Sequence, residues 1–354
     1  IAHSITPNAL ESALQQHPDA KAVLTVYPTY YGVCGNLSAI ANITHQYNIP
    51  LLVDEAHGAH FAFHPELPTP ALAAGADLTI QSIHKVLGAM TQASMLHIQG
   101  NRIDGDRISK ALQLVQSTSP SYLLLASLDA ARQQMALHGK MLMSRTLQLA
   151  NQARTKISQI PGLSVLQISS PPYQGGLGGS PGFVALDETR LTVTVSGLGL
   201  TGFEAEEILD EKFAVTAEFA SLQHLTFIIS LGNTSADIEQ LVQSFITLAN
   251  EYRRTNLTFK SDLWQDVFTA KCHALHFSPR EAFFAVSEII PLAQTSDRIC
   301  AEIVCPYPPG IPLLMPGEII TKPVLDYLQQ IQAIGGFISG CNDTSFKTLK
   351  VLKI

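Results

Sequence analysis

The stretch LLVDEAHGAH, residues 51–60, begins with three apolar residues and continues with two acids and two histidines. Its first part, PLLVDEA (50–56), has the length and apolar content of a buried strand. Three more runs of this kind lie nearby, AVLTVYP (22–28), DLTIQSIH (77–84) and SMLHIQG (94–100). We therefore predict four strands in the first hundred residues.

Segments with helical character separate these strands. LSAIANITHQYN (37–48) has helical spacing, PALAAGA (70–76) is predicted as a short helix, and a further helix is predicted from Asn8 to Gln16, capped near Thr6 and Pro7. Strands that alternate with helices indicate βαβ units and a mostly parallel sheet covered on both faces. The fold class predicted for this part is therefore α/β.

The rest of the chain changes character twice. A long helical region over 104–160, broken near Ser119-Pro120, leads to a loop rich in Gly, Pro and Ser at 168–182. Predicted strands and helices then alternate without the βαβ rhythm, which indicates smaller α+β domains. The strands are RLTVTVSG (190–197), FAVTAEFA (213–220) and HLTFIIS (224–230), and the helices span 203–213, 235–254 and 323–333. Boundaries near residues 160 and 255 are predicted.

Composition excludes several classes of function. The 354 residues are 46% hydrophobic with a net charge of −7, which gives no basic face for nucleic acid. The five cysteines form no CxxC motif, so we expect reduced thiols in a cytoplasmic protein. No apolar run is long enough for a membrane span, and the start resembles no signal peptide. Because the chain begins with Ile1, we expect it to be a fragment.

The DEAH tetrapeptide at 54–57 allows three interpretations. A helicase needs a phosphate-binding GxxxxGK[ST] loop upstream, and the chain contains none. A metal site could use His57 and His60, but the chain leaves the strand through Gly58, so a shared helical face is not assured, and we expect no metal. In the third interpretation, Asp54 at a strand end holds the ring nitrogen of a cofactor.

The third interpretation gains support from QSIHKVLGAMTQASMLH (81–97). Lys85 follows the next strand, in the company of Ser82 and His84, where a surface lysine would be unusual. Lysine forms Schiff bases with carbonyl cofactors, and pyridoxal phosphate also needs a carboxylate against its ring nitrogen. Carboxyl ends of parallel strands gather at one edge of a sheet. We therefore predict a pyridoxal-phosphate site built on Asp54 and Lys85.

The motifs YPTYYGVCGNL, VDEAHGAHF and QSIHK resemble the large domain of fold-type I pyridoxal-phosphate enzymes, specifically the bacterial Orn/Lys/Arg decarboxylases. AEIVCPYPPGIPLLMPGE (301–318) resembles the C-terminal domain of that family. The resemblance implies a pyridoxal-phosphate-binding large domain at 1–160, its mostly parallel sheet incomplete at the N-terminus, a small α+β domain at 161–255 and the family's C-terminal domain at 256–354.

The resemblance also implies a role for each matching residue. Lys85 holds the cofactor and then transfers protons, and Asp54 pairs with the ring nitrogen. His57 and His84 join Lys85 as candidate catalytic residues. The remaining assignments are Ala56 packing on the ring, His57 beside it, Ser82 on the phosphate, His84 by the phosphate or substrate carboxylate, Thr91 reaching a phosphate across a dimer interface, and Glu302 on the distal cation of the substrate.

The implied function is decarboxylation of arginine, lysine or ornithine to an amine and CO₂, related to polyamine synthesis. We expect a small-molecule substrate, a homodimer or higher homo-oligomer, and no nucleic-acid or membrane partner. The family's phosphate-binding turn and its ring-stacking residue are expected upstream of Ile1. Two alternatives stay open, an aminotransferase or lyase of the same fold and a non-catalytic remnant.

Overall fold

The computed structural model describes residues 1, 3–168, 182–252, 277–307, 310–333 and 335–353. The described chain forms two compact units. The first contains residues 1–159, 165–192 and 226–243, and the second contains 160–164, 193–225 and 244–354. The three-domain division predicted from the sequence stays a prediction.

The principal sheet of the first unit has the strand order β1-β3-β4-β5. Its strands are β1 (Val23–Val26), β3 (Leu51–Asp54), β4 (Leu78–Gln81) and β5 (Met95–Ile98). The pairs β1–β3 and β3–β4 are parallel, whereas β5 runs antiparallel to β4. The mostly parallel sheet is therefore confirmed, with one antiparallel edge strand.

The helices of the first unit begin at recognisable caps. The helices are α1 (Pro7–Gln16), α2 (Leu37–Gln46), α3 (Ile83–Val86), α4 (Gly105–Val115) and α5 (Tyr122–Ser158). Thr6 caps α1 with Pro7 in its first turn, and Ser121 caps α5 directly after the predicted break. The predicted helix at 70–76 is wrong, because this segment forms turns rather than a helix.

Helix α5 contributes to the core that supports the sheet. Met135, Met143 and Leu147 on α5 are buried in one cluster with Leu51 and Val53 of β3. This burial removes one face of the central strand from water, which is the main favourable term in forming the layer. A short two-stranded sheet, β2 (Val33–Cys34) with β7 (Ala185–Leu186), also belongs to this unit.

A second four-stranded sheet has the order β6-β8-β10-β9. Its strands are β6 (Ser164–Val165), β8 (Arg190–Thr194), β9 (Phe219–Ala220) and β10 (His224–Ile228). The predicted strand over 213–220 is mostly wrong, because α6 (Gly202–Phe213) continues through Phe213 and ends at Ala214 in the left-handed conformation, with φ of 51°. Only the last two residues of that stretch are a strand.

The second unit has its own core and two small sheets. β11 (Ser287–Pro291) pairs with β14 (Thr348–Leu352), and β12 (Cys305–Tyr307) pairs with β13 (Phe337–Ser339). Among the described residues, this unit contains the helices α6, α8 (Pro279–Phe284) and α9 (Lys322–Ala333), whereas α7 (Ser235–Glu251) has residues in both units. Most of the Gly/Pro/Ser-rich loop at 168–182 lies outside the described residues. No helix within the described part of the chain is both long and apolar enough to cross a membrane.

Candidate active site

Asp54 lies at the carboxyl end of the central parallel strand. It is the last residue of β3, half-buried, and its register partner on β4 is Ile80. Its Oδ1 accepts a hydrogen bond of 3.0 Å from the backbone N–H of Ala56. Among the described residues, Oδ2 has no hydrogen-bond partner. Asp54 therefore presents one carboxylate oxygen at the strand end, as a ring N–H would require.

Lys85 and His57 come together at the same edge of the sheet. His57 follows β3 and Lys85 lies in α3, directly after β4, so the parallel pairing of the two strands brings their following residues close. The Nζ of Lys85 lies 3.2 Å from the Nε2 of His57. Lys85 is exposed and His57 is buried. The sequence predicted Asp54 and Lys85 at strand ends with His57 beside the cofactor, and the structure brings Lys85 and His57 into contact.

The ring of His57 is held from its other side by residues that sequence reasoning missed. The Nη2 of Arg190 contacts the Nδ1 of His57, and the ring of Tyr30 lies 4.9 Å from the imidazole, centroid to centroid. Burial, with the positive charges of Arg190 and Lys85, lowers the pKa of His57 to about 3. His57 is therefore a neutral imidazole at physiological pH.

A fully buried acid, Asp187, lies next to Arg190. Asp187 Oδ2 lies 3.8 Å from Arg190 Nε and 3.2 Å from the Nε2 of His60. The hydroxyl of Thr189 donates a 2.6 Å hydrogen bond to Asp187 Oδ1. Burial alone would raise the pKa of Asp187, but His60, Arg190 and Thr189 together lower it to about 2. The carboxylate therefore stays charged inside the protein. The sequence signal that could have revealed Arg190 is an arginine at the start of an apolar strand, as in RLTVTV.

Glu55, the second acid of DEAH, points into the protein. Its carboxylate accepts hydrogen bonds from the Ala71 N–H (2.7 Å), the Gln81 side-chain amide (2.8 Å) and the Thr79 hydroxyl (3.2 Å). Burial raises its pKa. Glu55 is therefore a structural acid, and the described residues contain no group of three or more His, Cys, Asp or Glu side chains that could hold a metal.

The other predicted cofactor residues lie around Lys85. Ser82 is the residue before α3, and its hydroxyl makes no capping hydrogen bond to that helix. His84 is half-buried and precedes Lys85, and Ala56 is half-buried beside His57. Pyridoxal phosphate carries a ring nitrogen, a phosphate and an aldehyde. Within the described ranges, Asp54 Oδ2, the non-capping hydroxyl of Ser82 and the exposed amine of Lys85 fit these three groups.

Two weaker predictions receive no such support. Thr91 is exposed, in a turn after α3. Glu302 belongs to the second unit, where it is buried and its two oxygens accept hydrogen bonds from the backbone N–H groups of Lys350 (2.7 Å) and Asn342 (2.8 Å). Because both oxygens hold backbone in place, Glu302 is better explained as a structural residue than as a partner for a substrate cation.

Comparison with known proteins identifies relatives over the whole chain. Family models match at residues 1–176, described as "Orn/Lys/Arg decarboxylase, major domain", and at 261–343, described as "Orn/Lys/Arg decarboxylase, C-terminal domain". An arginine decarboxylase of Bacillus subtilis is 38% identical over 353 residues, covering 100% of this chain and 70% of the relative. The lysine decarboxylase LdcA of Pseudomonas aeruginosa is 26% identical, covering 89% of this chain and 53% of the relative.

The solved structures agree on the fold. The lysine decarboxylase LdcF of Francisella novicida superposes with a TM-score of 0.77 at 22% identity, over 99% of this chain and 61% of that one. At this identity the likeness shows the fold alone. The fold class predicted from the sequence is thereby confirmed.

Proposed function

Because the chain belongs to the Orn/Lys/Arg decarboxylase family, we propose that it removes the α-carboxylate of a basic amino acid with the help of bound pyridoxal 5′-phosphate. The observation that carries this proposal is the 3.2 Å contact between Lys85 Nζ and His57 Nε2, beside the half-buried Asp54. Asp54 ends β3, and His57 and Lys85 follow β3 and β4, at the carboxyl ends of strands where ligands bind in open α/β sheets.

Six residues would hold the cofactor. The Oδ2 of Asp54 would face the ring nitrogen, the Lys85 amine would attach the cofactor, and the Ser82 hydroxyl would bind its phosphate. Ala56 and His57 would lie against the ring, with His84 near the phosphate or the substrate carboxylate. When bound, pyridoxal phosphate supplies an electron sink for the bond that breaks at Cα.

The protein's own groups position charge and protons. Asp54 supplies a fixed negative charge at the strand end, which favours a protonated ring nitrogen over a neutral one. The exposed Nζ of Lys85 can carry a proton to and from the site, and His57 Nε2 is within hydrogen-bonding reach of it. His57 and His84 are thus proposed to assist Lys85 rather than to replace it.

Arginine is the substrate that we propose first. The chain is 38% identical to an arginine decarboxylase of Bacillus subtilis but only 26% identical to the lysine decarboxylase of Pseudomonas aeruginosa. Lysine and ornithine also carry a distal cation, an ammonium group in place of the guanidinium of arginine, and are the direct competitors in the assay. A homodimer and a cytoplasmic location remain predictions, and sedimentation of the purified chain tests the first.

The experiment begins with cofactor binding. We expect the purified chain to develop a visible absorbance band with pyridoxal phosphate, Lys85→Ala to lose it, and Lys140→Ala, which removes an exposed lysine of α5, to keep it. Release of labelled CO₂ from arginine, lysine and ornithine is then compared, with arginine expected to be fastest. A Lys85-dependent band without CO₂ release would favour an aminotransferase or lyase. Absence of the band would favour the non-catalytic alternative.

A further inference from the structure

The imidazole of His57 lies between the side chains of Arg190 and Lys85. Arg190 Nη2 contacts its Nδ1, and Lys85 Nζ lies 3.2 Å from its Nε2. The two partners are 133 and 28 residues away in the sequence, so the arrangement depends on the fold. A neutral imidazole has one N–H donor and one acceptor nitrogen, so it cannot accept hydrogen bonds from both sides at once.

The chemistry of arginine decides which nitrogen accepts. A guanidinium carries only donors and keeps its charge in proteins, so the ring nitrogen that faces it must be unprotonated. The single ring proton then belongs on Nε2. We propose that Arg190 is a positioning residue that fixes His57 in the Nε2–H tautomer and so makes it a hydrogen-bond donor toward Lys85.

Several contacts hold Arg190 in place for this task. Arg190 is fully buried, and Asp187, itself fixed by the backbone N–H (3.0 Å) and hydroxyl (2.6 Å) of Thr189, lies on its Nε side. Gly32 packs against the same side chain with φ of +84°, and a Cβ added there would lie 2.8 Å from the Cβ of Arg190. The side chain of Arg190 is therefore enclosed by protein from its Cβ to its Nε.

The tautomer has a consequence for the proposed function, on which this inference builds. The Nε2–H of His57 can donate to the lone pair of Lys85 when Lys85 is a free amine. An ammonium group has no lone pair and cannot accept this hydrogen bond. The free amine is the nucleophilic form of lysine. Because burial and the adjacent Arg190 keep His57 neutral, with a pKa of about 3, the donor persists across the physiological pH range.

The test reads the tautomer directly. Long-range ¹H–¹⁵N spectra of the ¹⁵N-histidine-labelled chain, without added cofactor, distinguish Nδ1–H, Nε2–H and doubly protonated rings. The chain has 12 histidines, and the signals that His57→Asn removes belong to His57. We expect the Nε2–H pattern at pH 7. An Nδ1–H or doubly protonated ring would overturn the proposal. Since no cofactor is present, failure of the proposed function would not affect this result.

Variants then identify what fixes the tautomer. In Arg190→Gln we expect a loss of the pure Nε2–H pattern. Arg102→Gln is a matched control, because Arg102 also belongs to an Arg–Asp–His group, with Asp77 at 3.2 Å and His45 beyond it, and it should leave the pattern unchanged. An unchanged His57 pattern in Arg190→Gln would refute the role of Arg190.

Lys85→Ala covers the case in which Arg190→Gln does not fold. Lys85 is exposed, so its truncation is well tolerated in the fold. If Arg190 fixes the tautomer, His57 keeps its Nε2–H pattern without the lysine. Loss of the pattern in Lys85→Ala would show that the lysine, rather than the arginine, sets the position of the ring proton.

Discussion

Lowering the pH from 7 to 5 is expected to destabilise the protein through His57. Its pKa is about 3 in the folded chain, against 6.5 for an ordinary histidine, because burial comes first and the charges of Arg190 and Lys85 add to it. The unfolded chain therefore binds a proton that the folded chain excludes. Above pH 6.5 the ring is neutral in both states and does not lower the free energy of unfolding. As the pH drops from 6.5 toward 3, protonation of the unfolded chain lowers the free energy of unfolding.

The two pKa values set the size of the effect. At pH 5 His57 is almost fully protonated in the unfolded chain and almost fully neutral in the folded chain. This difference lowers the free energy of unfolding by about 2 kcal/mol. At pH 3 the same calculation gives about 4 kcal/mol, because the folded ring itself is then half protonated. A loss of 2 kcal/mol is a large part of the stability of a typical domain.

Urea unfolding followed by circular dichroism at pH 7 and pH 5 measures this loss. Between the two pH values, His57→Gln should lose about 2 kcal/mol less free energy of unfolding than the wild type, since glutamine does not titrate. His138→Gln, in an exposed position of α5, controls for the substitution itself and should change the free energy of unfolding by less than about 0.5 kcal/mol. Equal losses in wild type and His57→Gln would refute the argument that the buried ring is neutral.

Two further substitutions test the buried polar groups around the site. Glu55→Ala should cost about 4 kcal/mol in urea unfolding because it leaves three donors without their acceptor, whereas exposed Glu66→Ala should cost less than about 0.5 kcal/mol. Arg154→Met should cost about 3 kcal/mol, because Arg154 donates to three backbone carbonyls, at Leu166, Glu188 and Arg190. Arg132→Met serves as its control, because Arg132 forms only an exposed i,i+3 ion pair with Asp129. A cost for Glu55→Ala or Arg154→Met as small as that of its control would contradict these assignments.

Apolar runs predicted the positions of the strands but not the direction of every strand. The strands at 22–28, 50–56 and 77–84 were each found, because continuous apolar runs of this length are typical of strands. The structure buries alternate residues of β3 rather than both of its faces. The direction of β5 could not be predicted, since periodicity carries no information about pairing. The helix predicted at 70–76 does not form, because Gly75 adopts φ of +105° and the segment turns instead.

Sequence patterns could group only those candidate site residues that lie near one another along the chain. Asp54 ends β3 and Lys85 follows β4, so the parallel pairing of these strands was enough to assign both to one edge of the sheet. Arg190 comes from a strand 133 residues after His57, and no local pattern connects the two. Family membership, inferred from motifs, was confirmed by relatives over the whole chain, but it did not reveal the Asp187–Arg190 pair behind the imidazole.

The alternation of side chains along β3 explains why DEAH cannot work here as a pair of acids. Asp54 is in register with Ile80, which is 41% exposed, whereas Val53 is in register with the fully buried Thr79. Glu55 continues on the buried side and bonds to Thr79, so consecutive acids point to opposite faces of the sheet. A metal bound by both carboxylates would need them on one face. Asp54 is thus available for a ligand, whereas Glu55 is committed to the core. His57, two residues after Glu55, lies at the strand end and contacts Lys85.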